Sequence, residues 1–283
     1  MKWRTRSLVI IFLALCVTEA HGIEGVEIIP DVVYGHKHGM ALTFDVFKPK
    51  QEAKGVGILF MVSGGWRSRW RSPEQSIGWF KPMLDKGFTV FAVRHGSSPK
   101  YVIPEIVEDV RRSVRFIRLR AKKFGVDPER LGVAGGSAGG HLSLMLGTAS
   151  DNGDPNSKDE VLRVSDRVAS VVAYFPPTDI RPWINKLPDY PALNFEEEKG
   201  AAYSPLLHVS SDDVPTLLIH GDKDELVPLE HSEKILAEFK KHKVTSELLV
   251  IKGAGHGFRG EDGERASEAM VGWFEKHLLK KVN

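Results

Sequence analysis

The chain has 283 residues, 42% of them hydrophobic and 27% charged, with 39 Lys and Arg against 37 Asp and Glu. That length and apolar content suit one domain with a large core, and the composition is not that of a disordered chain. The near balance of charge gives no sign of nucleic acid or an anionic membrane surface as partner.

The N-terminus has three parts: the basic residues Lys2, Arg4 and Arg6, an apolar run over 8–17 (LVIIFLALCV), and small residues at Thr18 and Ala20. This is the form of a secretory signal with a cleavage site after residue 20. The apolar run is shorter than the ~20 residues a spanning helix needs, and it lacks the amphipathic pattern of a helix buried against a core. The expectation is a signal peptide over 1–20, export to the periplasm or the exterior, and no stable membrane span in the mature chain. An uncleaved anchor is the alternative. Lipid anchoring at Cys16 fits poorly, because Leu15 stands where such signals place a small residue. Cys16 is the only cysteine, so the mature chain would need no disulfide. Cleavage after Ala20 leaves 36 basic and 36 acidic residues.

Residues 21–283 read as one domain. Segments 31–34 and 41–47 predict antiparallel edge strands. Six apolar runs follow, at 56–62, 88–93, 131–134, 168–175, 214–219 and 247–251. Runs apolar on both faces suit interior strands of a parallel sheet covered by helices. Helical spacing appears over 103–124, 141–146, 232–243 and 266–279, with Ile106, Val107, Val110, Val114 and Ile117 marking one face of the first. Strand–helix alternation of this kind predicts a doubly wound, mostly parallel α/β sheet. Residues 177–205, rich in proline and aromatics, read as a short lid insertion over the sheet. No repeat or low-complexity linker is visible.

The chemistry centres on Gly135-Gly136-Ser137-Ala138-Gly139-Gly140, which follows an apolar strand and precedes a helix. That context is what a G-x-S-x-G turn needs to lift a serine hydroxyl clear of the sheet. No Lys-Ser or Lys-Thr pair follows the glycines, which argues against a nucleotide-binding loop. A serine hydroxyl needs a base and an orienting acid. Asp224 and His256 follow the strands at 214–219 and 247–251, in the chain order Ser, Asp, His that this topology uses. Asp222 is the rival acid, and Asp179 reads as a turn cap. Oxyanion donors are expected from Ala138 and from Gly64 and Gly65, in the loop after the strand at 56–62. His95 and His141 read as structural.

These motifs resemble those of α/β-hydrolase esterases related to hormone-sensitive lipase and to acetyl- and feruloyl-xylan esterases. The similarity runs through Asp127-Pro128-Glu129-Arg130-Leu131-Gly132-Val133-Ala134-Gly135-Gly136-Ser137-Ala138-Gly139-Gly140-His141-Leu142, His220-Gly221-Asp222-Lys223-Asp224-Glu225-Leu226-Val227-Pro228 and Gly255-His256-Gly257-Phe258. The resemblance implies an α/β-hydrolase fold and a serine esterase that uses no cofactor or metal. Two departures stand out. The family's His-Gly-Gly-Gly-Trp is here Val62-Ser63-Gly64-Gly65-Trp66, and its Tyr-Arg-Leu is here Val93-Arg94-His95.

Trp66-Arg67-Ser68-Arg69-Trp70-Arg71 interleaves tryptophan and arginine beside the oxyanion loop. It reads either as a solvated surface loop or as a sugar or aromatic platform with affinity for acid groups. Trp66, Trp70 and Trp183 are the candidate substrate contacts. The expected substrate is a small-molecule or polysaccharide-linked ester, with short acyl groups. Two other readings stay open: a peptidase resembling the catalytic domain of prolyl oligopeptidases, and a non-catalytic hydrolase-like binding protein.

Overall fold

The computed structural model describes residues 25–279. The expected signal segment, with Cys16, lies outside the described residues. No helix among the described residues is long and apolar enough to cross a membrane.

Among the described residues, eight strands form one sheet in the order β1-β2-β4-β3-β5-β6-β7-β8. Strands β1 (Val26–Lys37) and β2 (Met40–Pro49) are antiparallel, and β2 also runs antiparallel to β4 (Thr89–Val93). The remaining neighbours are all parallel: β3 (Gly57–Met61), β5 (Leu131–Gly136), β6 (Ser170–Tyr174), β7 (Thr216–Gly221) and β8 (Ser246–Ile251). With one antiparallel edge and helices on both faces, this is the α/β-hydrolase arrangement.

The strands are apolar on both faces because both faces are covered. Alternate residues of one strand enter different cores, as pleating requires. Phe91 and Val93 join the core beneath α2 (Ile103–Leu119), α4 (Ala138–Thr148) and α5 (Glu230–Lys241). Val90 and Ala92 join the opposite core, beneath α1 (Pro73–Leu84) and α6 (Gly260–Leu278).

Three local differences from the sequence reading have physical causes. Strands β1 and β2 extend past 31–34 and 41–47, because β1 continues through register shifts after Ile29 and Val33, with Asp31 at φ 50°. The helix expected over 103–124 breaks at Arg120 (φ −107°, ψ 17°) into α2 and a four-residue α3 (Ala121–Phe124), which ends on left-handed Gly125. Helix α1 has no counterpart in the apolar pattern, since Pro73 and Pro82 obscure it. Pro73 occupies the first turn, where its missing N–H costs nothing, and Pro82 sits in the last turn.

Segment 177–205 consists of short 3-10 turns, among them Arg181–Trp183, Pro191–Leu193 and Glu197–Tyr203. Its Ile180, Ile184, Ala192, Leu193 and Phe195 are buried in the α2/α4/α5 core. The segment is therefore packed onto the sheet and carries its own apolar anchors.

A buried ion pair ties the antiparallel edge to the end of β4. Arg94 Nη1 donates to Asp45 Oδ2 at 2.5 Å, and its Nη2 donates to Asp45 Oδ1 at 2.9 Å and to Asp31 Oδ1 at 2.8 Å. The Tyr34 hydroxyl donates to the Arg94 carbonyl at 2.6 Å. Asp45→Ala leaves the guanidinium buried with the Thr43 hydroxyl and with the half-exposed Asp31 as its one remaining carboxylate. The expected cost is about 3 kcal/mol in urea-induced unfolding at pH 7; an unchanged midpoint would mean that Arg94 needs no buried counter-ion.

Candidate active site

The turn between β5 and α4 places Ser137 at φ 54°, ψ −120°, outside the usual conformations of a side-chain-bearing residue. Two backbone bonds hold it there: the Ser137 N–H donates to the Tyr174 carbonyl at 2.9 Å, and the Ser137 carbonyl accepts the His141 N–H at 2.9 Å. Gly139 permits the close approach behind the turn, since a Cβ there would lie 2.7 Å from the Met61 carbonyl oxygen.

The ends of β7 and β8 supply the partners. His256 Nε2 lies 2.8 Å from Ser137 Oγ, and His256 Nδ1 lies 2.7 Å from Asp224 Oδ2. The Asp224 side chain is fully shielded from solvent. Its Oδ1 accepts the backbone N–H groups of Leu226 and Val227 at 3.0 and 2.9 Å. Asp222, the rival acid, points elsewhere: its Oδ1 accepts the Gly253 N–H at 2.5 Å. Asp179 accepts from the Arg181 backbone and guanidinium and so closes a turn.

The two expected glycine donors behave differently. The Gly64 N–H donates to the Arg67 carbonyl at 3.0 Å inside a tight turn, so Gly64 has no amide to offer a substrate. This corrects the expectation for Gly64. The Gly65 and Ala138 amides donate no hydrogen bond among the described residues. Gly65 has φ +56°, and a Cβ there would press on the Tyr190 ring at 3.1 Å. These two amides remain available beside Ser137, and Ala138 adds the positive end of α4.

Buried histidines brace the site, and sequence reasoning understated them. His141 is fully buried; Trp66 Nε1 donates to its Nδ1 at 3.3 Å, and its Nε2 donates to the Tyr203 carbonyl at 2.8 Å. One imidazole thus joins the loop after β3, helix α4 and segment 177–205. His95 donates from Nδ1 to the Gly96 carbonyl at 2.8 Å and accepts the Ser63 hydroxyl at Nε2, also 2.8 Å. Burial pushes both imidazoles down to about 4. His220 was not singled out at all. Its Nε2 donates to the Val227 carbonyl at 2.8 Å and lies 3.4 Å from Asp224 Oδ2, while its Nδ1 accepts the Ser232 hydroxyl at 2.7 Å. Burial lowers its pKa as well. The spacing in His220-Gly-x-x-Asp224 was the available signal.

The tryptophans separate. Trp66 is buried against His141 and lines the cavity at Ser137. Trp183 lines the cavity at Ser137 and packs on His231, with ring centroids 5.0 Å apart. Trp70 is 62% exposed and lines none of the three cavities around Ser137, which corrects the expectation of a contact there. Two aromatics were missed. Phe175, at φ 35°, sets its ring 4.5 Å from that of His256, and Trp79 stands out from α1 at 71% exposure. Phe175 was hidden in an apolar run, and Trp79 in an unpredicted helix. Among the described residues, no group of three or more His, Cys, Asp or Glu side chains is placed to hold a metal.

Fold and site together define the class: an α/β-hydrolase with a hydrogen-bonded Ser137–His256–Asp224 relay at the carboxyl ends of its parallel strands. Within that class the chain belongs to the BD-FAE family, whose profile matches residues 44–239. It is 24% identical over 224 residues to the probable carboxylic ester hydrolase LipM of Mycobacterium tuberculosis, covering 75% of this chain and 51% of that one. The chain spans between half and three-fifths of the length of the curated relatives it matches first. It is similar to the acetyl ester-xyloside bifunctional hydrolase from Caldicellulosiruptor lactoaceticus, at 25% identity and a TM-score of 0.75, over 87% of this chain and 95% of that one. A truncated carbohydrate esterase from gut microbiota shares the fold at 24% identity and the same TM-score of 0.75, covering 90% of this chain and 97% of that one.

The buried histidines make stability depend on pH. Their folded-state pKa lies below the ordinary 6.5, so the unfolded chain binds more protons between pH 6.5 and 4. Stability therefore falls as pH drops through that window. At pH 5 the expected loss relative to pH 7 is about 2 kcal/mol for each of His95 and His141. Urea unfolding at the two pH values checks this: the loss should shrink in His141→Gln. An equal loss in that variant would place the pH dependence elsewhere.

Proposed function

We propose that the protein is a serine esterase that hydrolyses carboxylic esters through an acyl-enzyme, with short-chain or carbohydrate-linked acyl groups as substrates. The observation that carries this is the continuous relay from Ser137 Oγ through His256 to Asp224, at 2.8 and 2.7 Å. Ser137 attacks the ester carbonyl while His256 Nε2 takes its proton. The amides of Ala138 and Gly65 receive the negative charge that develops on the carbonyl oxygen. His256 then passes the proton to the leaving alcohol, and a second cycle with water frees the acid. Asp224 holds the imidazole in the correct tautomer and stabilises its charged form. Its two backbone donors keep it oriented.

The cavity at Ser137 supports a short acyl group. It measures about 280 Å³ and is walled by Trp66, Pro177, Trp183, Leu187, Tyr190 and Leu226. The names of similar proteins, a carboxylic ester hydrolase, a carbohydrate esterase and an acetyl ester-xyloside hydrolase, point the same way. Export through the segment 1–20 is part of the proposal. It rests on the basic start, the apolar run and the small residues before position 21.

The test uses nitrophenyl esters of increasing acyl length, an acetylated xylan and an aminoacyl anilide. Ser137→Ala should lower kcat on the esters by about 10⁴-fold or more, and Asp224→Asn by about 10⁴-fold. Rates should fall once the acyl chain outgrows the cavity. Anilide turnover without ester turnover would make the protein a peptidase, and full esterase activity in Ser137→Ala would refute the proposal. Export is checked by N-terminal sequencing of the secreted chain, which should begin at residue 21.

A further inference from the structure

The two sides of Ser137 differ in chemistry. The acyl cavity is small and mostly apolar. Beside the Gly136–Ser137 turn lie two larger spaces of about 550 and 630 Å³, the first along the 61–71 loop and the second along His256. Both are lined by Phe60, Trp79, Gly136 and Phe175, so they form one groove that ends at the nucleophile turn. His256 itself lines the second space. Because His256 must hand its proton to the leaving oxygen, the alcohol half of the ester has to lie along this wall.

The first space carries Arg67, Arg69 and Arg71, and neither Asp nor Glu lines it. Arg69 and Arg71 are exposed and form no ion pair among the described residues. Arg67 donates to the Asp189 backbone carbonyl at 2.9 Å, which anchors the lid but neutralises no charge. Five arginines elsewhere in the molecule, Arg111, Arg112, Arg115, Arg118 and Arg167, each face a carboxylate within 3.5 Å; Arg130 and Arg163, like Arg67, bond backbone carbonyls instead. Three guanidinium groups without a counter-charge repel one another, and an anion between them removes that cost. A planar carboxylate fits the guanidinium fork in bidentate fashion. Trp79, 71% exposed in the same groove, offers a flat apolar face beside them.

We propose that this groove is the alcohol-side subsite and that it takes a saccharide bearing a carboxylate: a uronic-acid-containing oligosaccharide, esterified on a neighbouring sugar hydroxyl. Trp79 and Phe175 cover the apolar faces of the sugar rings, and Arg69 and Arg71 bind the uronate. The proposal rests on the esterase reading of Ser137. It goes further by assigning a charge to the alcohol.

The test compares kcat/KM on an acetylated xylo-oligosaccharide carrying a glucuronic acid branch with that on the neutral acetylated oligosaccharide of the same length. The wild-type protein should favour the acidic substrate by about tenfold at low salt. That ratio should shrink toward one in Arg69→Ala/Arg71→Ala, and also as salt is raised. Equal wild-type rates on the two substrates would overturn the proposal. So would a double variant that loses both activities in the same proportion. Calorimetry with the deacetylated acidic oligosaccharide on Ser137→Ala reads the groove without turnover. Arginine-dependent binding, in a protein that turns over no ester, would sink the esterase reading and leave the subsite standing. Normal hydrolysis of nitrophenyl acetate without arginine-dependent binding would sink the subsite alone.

Discussion

Everything at the site depends on one strained residue. Ser137 sits at φ 54°, ψ −120°, a conformation that costs a non-glycine residue on the order of 1–3 kcal/mol. The turn survives because its surroundings over-determine it. Strand β5 is fixed by parallel neighbours on both sides, and α4 is buried along its whole length. Glycines at 135, 139 and 140 let backbone meet backbone where any Cβ would collide. The same crowding that forces the strain presents the hydroxyl at the open end of the sheet. It also brings the first amide of α4 alongside.

Around that turn, neutral histidines act as hydrogen-bond bridges. His141, His95 and His220 each donate to a backbone carbonyl through one ring nitrogen and face a side-chain donor with the other. His141 and His95 join pieces of chain far apart in sequence, and His220 ties the end of β7 to the loop and helix that follow it, which a buried apolar residue of similar size could not orient so narrowly. The Ser63–His95 pair is instructive. This chain lacks the histidine that related sequences carry before their oxyanion glycines, and a serine braced by a histidine from the next strand occupies that region. The loop that offers the Gly65 amide is thus held from a different direction.

The walls of the site divide the labour. The acyl side is closed by the packed segment 177–205, whose buried Ile180, Ile184 and Leu193 fix its place. The proposed alcohol side is open and aromatic, with arginines along the first space and both Arg259 and Asp262 along the second. Small volume on one wall and charge on the other are independent levers on specificity, so acyl length and alcohol identity can be tuned separately. The fold leaves both to loops at the carboxyl ends of the strands, where insertions do not disturb the sheet.

The sequence by itself determined the local pieces: apolar runs that need cover on both faces, a glycine-rich turn around Ser137, and Asp224 and His256 after their own strands. These are local patterns, and local patterning is what a linear chain displays. Helix α1 was illegible because proline at a helix start and in its last turn looks, in sequence, like a break. The tertiary structure decided which neighbouring groups are free to act. Gly64 and Gly65 are adjacent and chemically identical, yet only a turn closed by Arg67 spends the first amide. Trp66 and Trp70 lie four residues apart, yet one is buried on His141 and the other faces solvent. Trp79, from an unpredicted helix, joins arginines that precede it in the chain. Availability of a donor, a ring face or a charge depends on what else has folded against it, and no single stretch of sequence contains that.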